Sequence, residues 1–245
     1  MSFSDREEKI LNIFYEKDTV RSSELAKILY VSVSTLRRDL EKLQEKGLIV
    51  REHGICKLGN KLKSEKVSYS LRERQYDDAK NYIAREATER IKEGDNIMLD
   101  GSSSAYYVVH HLGKFRNLLV ITNNAKASVA LKELNIDNIS TGGRMGHKTI
   151  SFVGQEAINA IQNYNADILF FSCAGITEDG YLTDVDKDEV DVRKEMMKHC
   201  DKKVVLVDSS KFGKKFLYNV CHISEVDEII SEEELPAYIM RYLKK

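Results

Sequence analysis

An α/β chain of two domains is what the sequence predicts, from three patterns. Up to residue 58, apolar residues recur at helical spacing and then give way to two short strand-like runs around a turn. Residues 59–78 turn polar, with too few apolar side chains to build a core. From residue 79 to residue 245, short apolar runs alternate with helical stretches, which argues for a parallel sheet with helices on its faces. The domains therefore read as 1–58 and 79–245, with 59–78 as a linker.

Residues 5–17 carry Ile10, Leu11, Ile13 and Phe14 among charges, a first helix that braces the two helices after it. Ser22 through Leu29 reads as a shorter helix, joined through Tyr30 and Val31 to a second one. In that second helix Leu36, Leu40 and Leu43 lie at i, i+4, i+7 and mark the packed face. Ser32 sits where an N-cap belongs. The opposite face carries Ser34 and Arg38, flanked by Thr35 and Arg37, short hydroxyls and guanidinium forks suited to phosphate oxygens and guanine edges. This is a helix-turn-helix with its second helix free to enter a DNA groove. An amphipathic pair with a solvated charged face gives the same pattern. Gly47 stops the helix, and Leu48 to Leu58 form two short strands that place Arg51, His53 and Lys57 toward backbone phosphate. The candidate contacts to double-stranded DNA are Ser22, Ser32, Ser34, Thr35, Arg37, Arg38, Arg51 and His53.

In the second domain Ile83, Ala87 and Ile91 give a helix ending at Gly94, and Asn96 to Asp100 is a strand running into Gly101. Strands then fall at 118–122, 139–141, 168–172 and 204–208, and helices near 125–134, 155–161 and 190–200. The expected architecture is a Rossmann-like open α/β sheet. Polar and glycine clusters follow its strands: Asp100-Gly101-Ser102-Ser103-Ser104, Thr122-Asn123-Asn124, Thr141-Gly142-Gly143-Arg144 and Asp208-Ser209-Ser210-Lys211. In a parallel sheet all strand C-termini share one edge, so the four clusters converge on one crevice.

The first cluster opens a helix, 105–112, whose backbone N–H groups suit an anion, with phosphate the natural occupant. Lys211 adds a compact cation. Thr122 and Asn123 offer neutral hydrogen bonds for sugar hydroxyls, and Gly142 and Gly143 allow close backbone approach. The candidate effector contacts are Asp100, Gly101, Ser102, Ser103, Ser104, Thr122, Asn123, Gly142, Gly143 and Lys211. Neither a Gly-Lys-Ser/Thr ending nor a G-x-G-x-x-G run is present, which argues against a nucleotide or dinucleotide cofactor.

A net charge of −1 argues against a protein that coats nucleic acid without selectivity, and any DNA affinity must come from where charges sit and from oligomerisation. Cys56, Cys173, Cys200 and Cys221 show no C-x-x-C spacing and read as reduced thiols. With no signal peptide or membrane-span pattern, the expected location is the cytoplasm. Asp184, Asp186, Asp188 and Glu195 fall in an EF-hand register, but Glu189 stands at the position that needs glycine. The adjacent His110 and His111 point to different helix faces, so no metal site is expected.

These residues resemble a known family. Glu24-Leu25-Ala26, Val31-Ser32, Thr35-Leu36-Arg37-Arg38-Asp39-Leu40, Leu43, Gly47, Arg51 and His53-Gly54 are similar to the winged helix-turn-helix head of the DeoR family of bacterial transcriptional regulators. Ile55 stands where that family usually has a second glycine. The strand-end clusters, with Phe152-Val153-Gly154, Ala166-Asp167, Gly175-Ile176, Gly180-Tyr181-Leu182-Thr183 and Lys211-Phe212-Gly213, resemble its effector domain. Ser104 replaces the more usual threonine. The resemblance implies a sensor related in fold to ribose-5-phosphate isomerase and glucosamine-6-phosphate deaminase. It implies a repressor of a carbohydrate operon whose DNA binding responds to a phosphorylated sugar. Repeated operator half-sites imply a homo-oligomer (dimer or tetramer), and the DNA-reading head argues against an enzyme. The rival reading is an isomerase- or deaminase-like enzyme with a DNA-binding head, using Asp179, Asp184 and Glu189 as acid and base.

Overall fold

The computed structural model describes residues 3–16, 19–46, 48–52, 54–58, 69–146 and 149–243. The chain divides into two compact units, Met1–Val67 and Ser68–Lys245.

In the first unit, α1 (Phe3–Glu16), β1 (Thr19–Arg21), α2 (Ser22–Ile28) and α3 (Val33–Glu45) are followed by the hairpin of β2 (Ile49–Glu52) and β3 (Ile55–Leu58). β1 pairs antiparallel with β3 to make a three-stranded sheet in the order β1-β3-β2. The expected wing therefore has a third strand that its three-residue length hid from pattern reading. Leu36, Leu40 and Leu43 all face inward and pack with Leu25, Phe14, Ile10 and Ile49, as their spacing predicts. One buried charge joins that face. Asp39 is held by Arg6, whose Nε and Nη2 donate to the two carboxylate oxygens at 2.6 and 3.1 Å, so α1 and α3 are fixed by a forked ion pair as well as by apolar contact. Gly47, read as the stop signal, lies outside the described residues; α3 ends at Glu45.

The second unit begins inside the segment expected to be linker. Tyr69–Arg74 is a helix (α4), and a second helix, Asp77–Thr88 (α5), starts before residue 79. The polar composition misled because Tyr69 joins the apolar core, and Lys80, just past that segment, folds back onto the carbonyls of Arg72, Glu73 and Gln75 within it.

Then come β4 (Asn96–Leu99), α6 (Ser103–Val109), β5 (Leu119–Thr122), α7 (Ala125–Glu133) and β6 (Asp137–Ser140). They are followed by a small hairpin, β7 (Arg144–Met145) with β8 (Phe152–Val153). After α8 (Gln155–Ile161) the chain forms β9 (Ala166–Phe171), β10 (Gly175–Ile176), β11 (Tyr181–Asp184), α9 (Lys187–Lys198), β12 (Cys200–Leu206), β13 (Tyr218–His222), β14 (Glu228–Ile230) and α10 (Ala237–Met240). The central sheet runs β14-β12-β9-β4-β5-β6 with every neighbouring pair parallel, the open α/β sheet expected. β12 spans 200–206 where 204–208 was expected, so Cys200 belongs to a strand and not to the preceding helix.

A three-stranded antiparallel sheet, β10-β11-β13, packs beside the main sheet and was not foreseen. Its strands are two to five residues long, too short to show a period. Apolar layers cover both faces of the main sheet. Ile97, Leu99, Val120, Phe170 and Leu206 pack on one side, and Met98, Ile121, Leu169, Phe171 and Val205 on the other. Alternate residues of one strand thus feed opposite cores.

Candidate functional site

The outer face of α3 is exposed and polar. Ser32 caps the helix by accepting the Thr35 backbone N–H at 3.1 Å, and its hydroxyl lies 2.9 Å from the Ser34 hydroxyl and 2.8 Å from that of Thr35. Three hydroxyls thus cluster at the helix N-terminus, where the helix dipole favours an anion. Arg37 and Arg38 are exposed one turn on, Arg37 donating from Nε to Glu41 at 3.0 Å. Between α2 and α3, Tyr30 takes a positive φ of 53° and is 95% exposed, and Val33 is 70% exposed at the first turn of α3. Ser22 stands apart from this face. It is half-buried, with its hydroxyl donating to the Gly54 carbonyl at 3.3 Å and lying 3.3 Å from Cys56 Sγ, so it ties α2 to the hairpin. Arg51 is half-buried on β2, and His53 lies outside the described residues.

The second site lies at the carboxyl edge of the parallel sheet, where strand order reverses between β4 and β9. The loop after β4 is shaped by a buried charge cluster. Arg193 of α9, 3% exposed, donates from Nε to Asp100 at 2.8 Å and from Nη1 to Asp184 at 3.0 Å. Burial would lower the Arg193 pKa, but the two carboxylates, Asp100 first, more than offset it and raise it above the ordinary value. Asp100 also accepts the Ser102 backbone N–H at 3.1 Å and the Ser102 hydroxyl. Asp100, expected among effector contacts, is thus 2% exposed and occupied in holding the loop. A bare carboxylate there would repel an anion; the guanidinium removes that conflict.

Ser102 in turn caps α6, accepting from Ala105 N at 3.1 Å. Ser103 and Ser104 come next, both buried at the helix start. Gly101 is required by packing: a Cβ there would fall 2.6 Å from Cβ of Ser151. The fourth cluster meets the first at Lys211, whose Nζ donates to Ser172 Oγ at 2.8 Å and lies 3.4 Å from both Ser104 Oγ and Asp208 Oδ2. Burial pushes the Asp208 carboxyl up, but Lys211, the Ser210 hydroxyl and Lys80 outweigh it and hold it below the usual carboxylate range.

The other two clusters divide. Asn123 reaches the crevice beside Gly101, its Nδ2 donating to Phe152 O at 2.9 Å while its buried Oδ1 has no partner among the described residues. Thr122 is fully buried, with its hydroxyl donating to Leu99 O at 2.8 Å and accepting from Asn124 N, so it joins β4 to β5 and offers no free group. Gly142 and Gly143 both take positive φ, 61° and 108°. Close approach at Gly143 is to the protein itself, since a Cβ would meet Val153 O at 3.0 Å and Ala157 at 3.2 Å.

Sequence reading missed Arg193, Ser172, Lys80 and Arg72. Arg193 and Lys80 sit on helices where an isolated cation looks like a solvated surface charge, and only burial distinguishes them. Lys80 is pulled down to about 7 by burial first and then by the Lys211 charge. Among the described residues no cluster of His, Cys, Asp or Glu could hold a metal ion, and no helix is long and apolar enough to cross a membrane.

Both units of the chain are similar to known proteins. The family model of the DeoR-like helix-turn-helix domain matches residues 6–61, and that of the DeoR C terminal sensor domain matches residues 75–233. The chain is 33% identical over 96% of its length to the uncharacterized HTH-type transcriptional regulator YulB of Bacillus subtilis, covering 91% of that protein. It is 32% identical to the L-fucose operon activator of Escherichia coli K12, over 93% of this chain and 94% of the other. Ribose 5-phosphate isomerase A of Methanocaldococcus jannaschii aligns in structure over 56% of this chain and 54% of its own, at 21% identity and a TM-score of 0.43. With a helix-turn-helix unit and a parallel-sheet unit each matched by its own family model, the chain belongs to the DeoR family of transcriptional regulators.

Proposed function

We propose that this protein represses a carbohydrate-metabolism operon by binding operator DNA through α3, and that a phosphorylated sugar in the crevice of the second unit changes that binding. The observation that carries the sensor half is the position of Lys211 Nζ between Ser172 and Ser104, beside a serine-capped helix start at the sheet's switch point. A cation beside a serine hydroxyl at a helix start fits a phosphate better than a neutral sugar. The DNA contacts are Ser32, Ser34, Thr35, Arg37 and Arg38 on the exposed face, with Arg51 on the hairpin. Ser22 supports the hairpin from within. In the crevice, Ser103, Ser104 and Lys211 take the phosphate, and Asn123 a hydroxyl of the sugar, while Ser102 holds the loop through Asp100.

Operator half-sites read by a homo-oligomer multiply a modest affinity through effective concentration, so an assembly of two or more copies in the cytoplasm fits this role. Against catalysis stands the engagement of the carboxylates an isomerase-like mechanism would need. Asp184 is bonded to Arg193, Glu189 accepts the Ser151 hydroxyl at 2.9 Å, and Asp179 accepts that of Thr177.

The test is thermal unfolding against a panel of sugar phosphates beside their unphosphorylated parents. One phosphate is expected to raise the transition, adding about 2.7 kcal/mol of stability at one hundred times its dissociation constant, and its parent sugar to do nothing. Lys211→Ala is expected to bind operator as wild type and to lose the shift. A wild-type protein indifferent to every phosphate, or one that exchanges a sugar C–H proton with deuterated water, removes this reading.

A further inference from the structure

Among the described residues of the first unit, Tyr30 and Val33 are the most exposed large apolar side chains, and they stand on either side of the Ser32 cap. Neither gains by folding. Tyr30 takes a φ of 53°, a left-handed conformation that glycine adopts freely and a bulky residue only under strain. The turn is nevertheless fixed, Tyr30 N donating to the Lys27 carbonyl at 3.2 Å and Val31 N to the Ala26 carbonyl at 3.1 Å. Val33 opens α3 as a β-branched residue, a type that helices favour less than alanine. A single exposed apolar side chain is ordinary on a protein surface. Two that flank one helix start, one of them on a strained backbone, face a partner.

Their neighbours identify that partner. Ser34 and Thr35 share the first turn of α3, with Arg37 and Arg38 exposed one turn on, so the pair is continuous with the polar face that suits DNA. A helix that enters the major groove by its N-terminus brings its first residues to the base edges. The hydroxyls there are held close to one another, Ser34 and Thr35 both within hydrogen-bond reach of Ser32, and they suit phosphate oxygens. An alkyl group or a ring edge does not. Major-groove base edges are hydrogen-bond donors and acceptors with one apolar group among them, the 5-methyl of thymine. An apolar side chain at that depth has that one match.

We propose that Val33 and Tyr30 read thymine, covering 5-methyl groups in the major groove of the operator, so that the half-site carries A·T pairs opposite the start of α3. This rests on α3 being the helix that reads DNA. It adds a base preference that Arg37 and Arg38, suited to phosphate and guanine, do not supply.

The test selects duplexes from a random-sequence library with the full chain. Gel shifts then measure affinity for the selected duplex as each thymine in turn is replaced by deoxyuridine, which removes only the methyl. The wild type is expected to lose about fourfold at one or more thymines, the worth of one buried methyl. Val33→Ser and Tyr30→Gly are expected to bind more weakly and each to lose that response at one of these thymines. Arg38→Ala is expected to bind weakly and keep it. If Val33→Ser does not fold, Val33→Gln decides in the same way. A deoxyuridine response as large in the Val33 and Tyr30 variants as in the wild type overturns the proposal and leaves α3 as the DNA-binding helix. So does a wild type indifferent to every replacement. Sedimentation without DNA is run beside these: a smaller assembly in either variant assigns the pair to contact with a second copy and overturns the proposal. No sequence preference in the wild type, with Arg38→Ala binding equally well, overturns both readings.

Discussion

Two arginines in this protein teach opposite lessons about charge. Arg37, on the outer face of α3, makes an exposed i,i+4 pair with Glu41; Arg193 is sealed under the crevice between two carboxylates. An exposed pair gains little, because water screens it and two long side chains must be held still. Such residues remain available to an outside partner. A buried cluster is the reverse: each member was costly to desolvate, so none can be removed without stranding the others. The first unit therefore carries its candidate DNA contacts outside its fold, while the second builds its candidate crevice from groups that also hold the fold together.

Substitutions can break that contrast, and the largest effect belongs to the buried side. Arg193→Leu is expected to destabilise the second unit by about 3–5 kcal/mol, since Asp100 and Asp184 would lose their counterion. Urea unfolding measures it, and a cost below about 1 kcal/mol would mean that the cluster is not integral to the fold. Arg38→Ala is the counterpart on the exposed side. It is expected to lower operator affinity by about 1–3 kcal/mol in a gel shift, while unfolding stays within about 0.5 kcal/mol of wild type.

The pH dependence of the second unit sharpens the comparison. Lys80 is held at about 7 where an ordinary lysine titrates at 10.5, through burial and then Lys211, with Arg72 adding to the fall and Asp208 and Asp77 opposing it. Between those two values the unfolded chain binds a proton that the folded chain does not, so stability rises with pH across that window. The slope is at most about 1.4 kcal/mol per pH unit. Lys80→Met is expected to flatten it, and a slope unchanged in that variant would assign it to another group. The smallest effect is that of Glu41→Ala, about 0.3–0.5 kcal/mol from the exposed pair; a loss above 1 kcal/mol would show that exposure does not set the difference.

Much of the architecture is legible without coordinates, and the reason differs by element. Leu36, Leu40 and Leu43 disclose α3 because a helix that packs on one side must repeat its apolar residues every three or four positions. Ser32 marks its start because the first N–H groups of a helix need an acceptor. The parallel sheet is legible because its strands, covered on both faces, are apolar and alternate with helices. β1 and the β10-β11-β13 sheet leave no such trace, being too short to show a period.

The crevice is half legible. Once the sheet is known to be parallel, its strand-end clusters must share an edge, so the meeting of Ser104 with Lys211 follows from sequence and topology together. Local pattern is silent on which of those polar residues remain free. Thr122 turns inward to Leu99, Asp100 to Arg193, and Gly143 to Val153 and Ala157, because partners distant in sequence reach them first. Arg72 and Lys80, in a stretch as polar as any linker, acquire their environment only when α4 packs on the loops beside it. Periodicity records which side of an element meets the core; which buried polar groups find one another depends on long-range contacts, and those exist only in the folded chain.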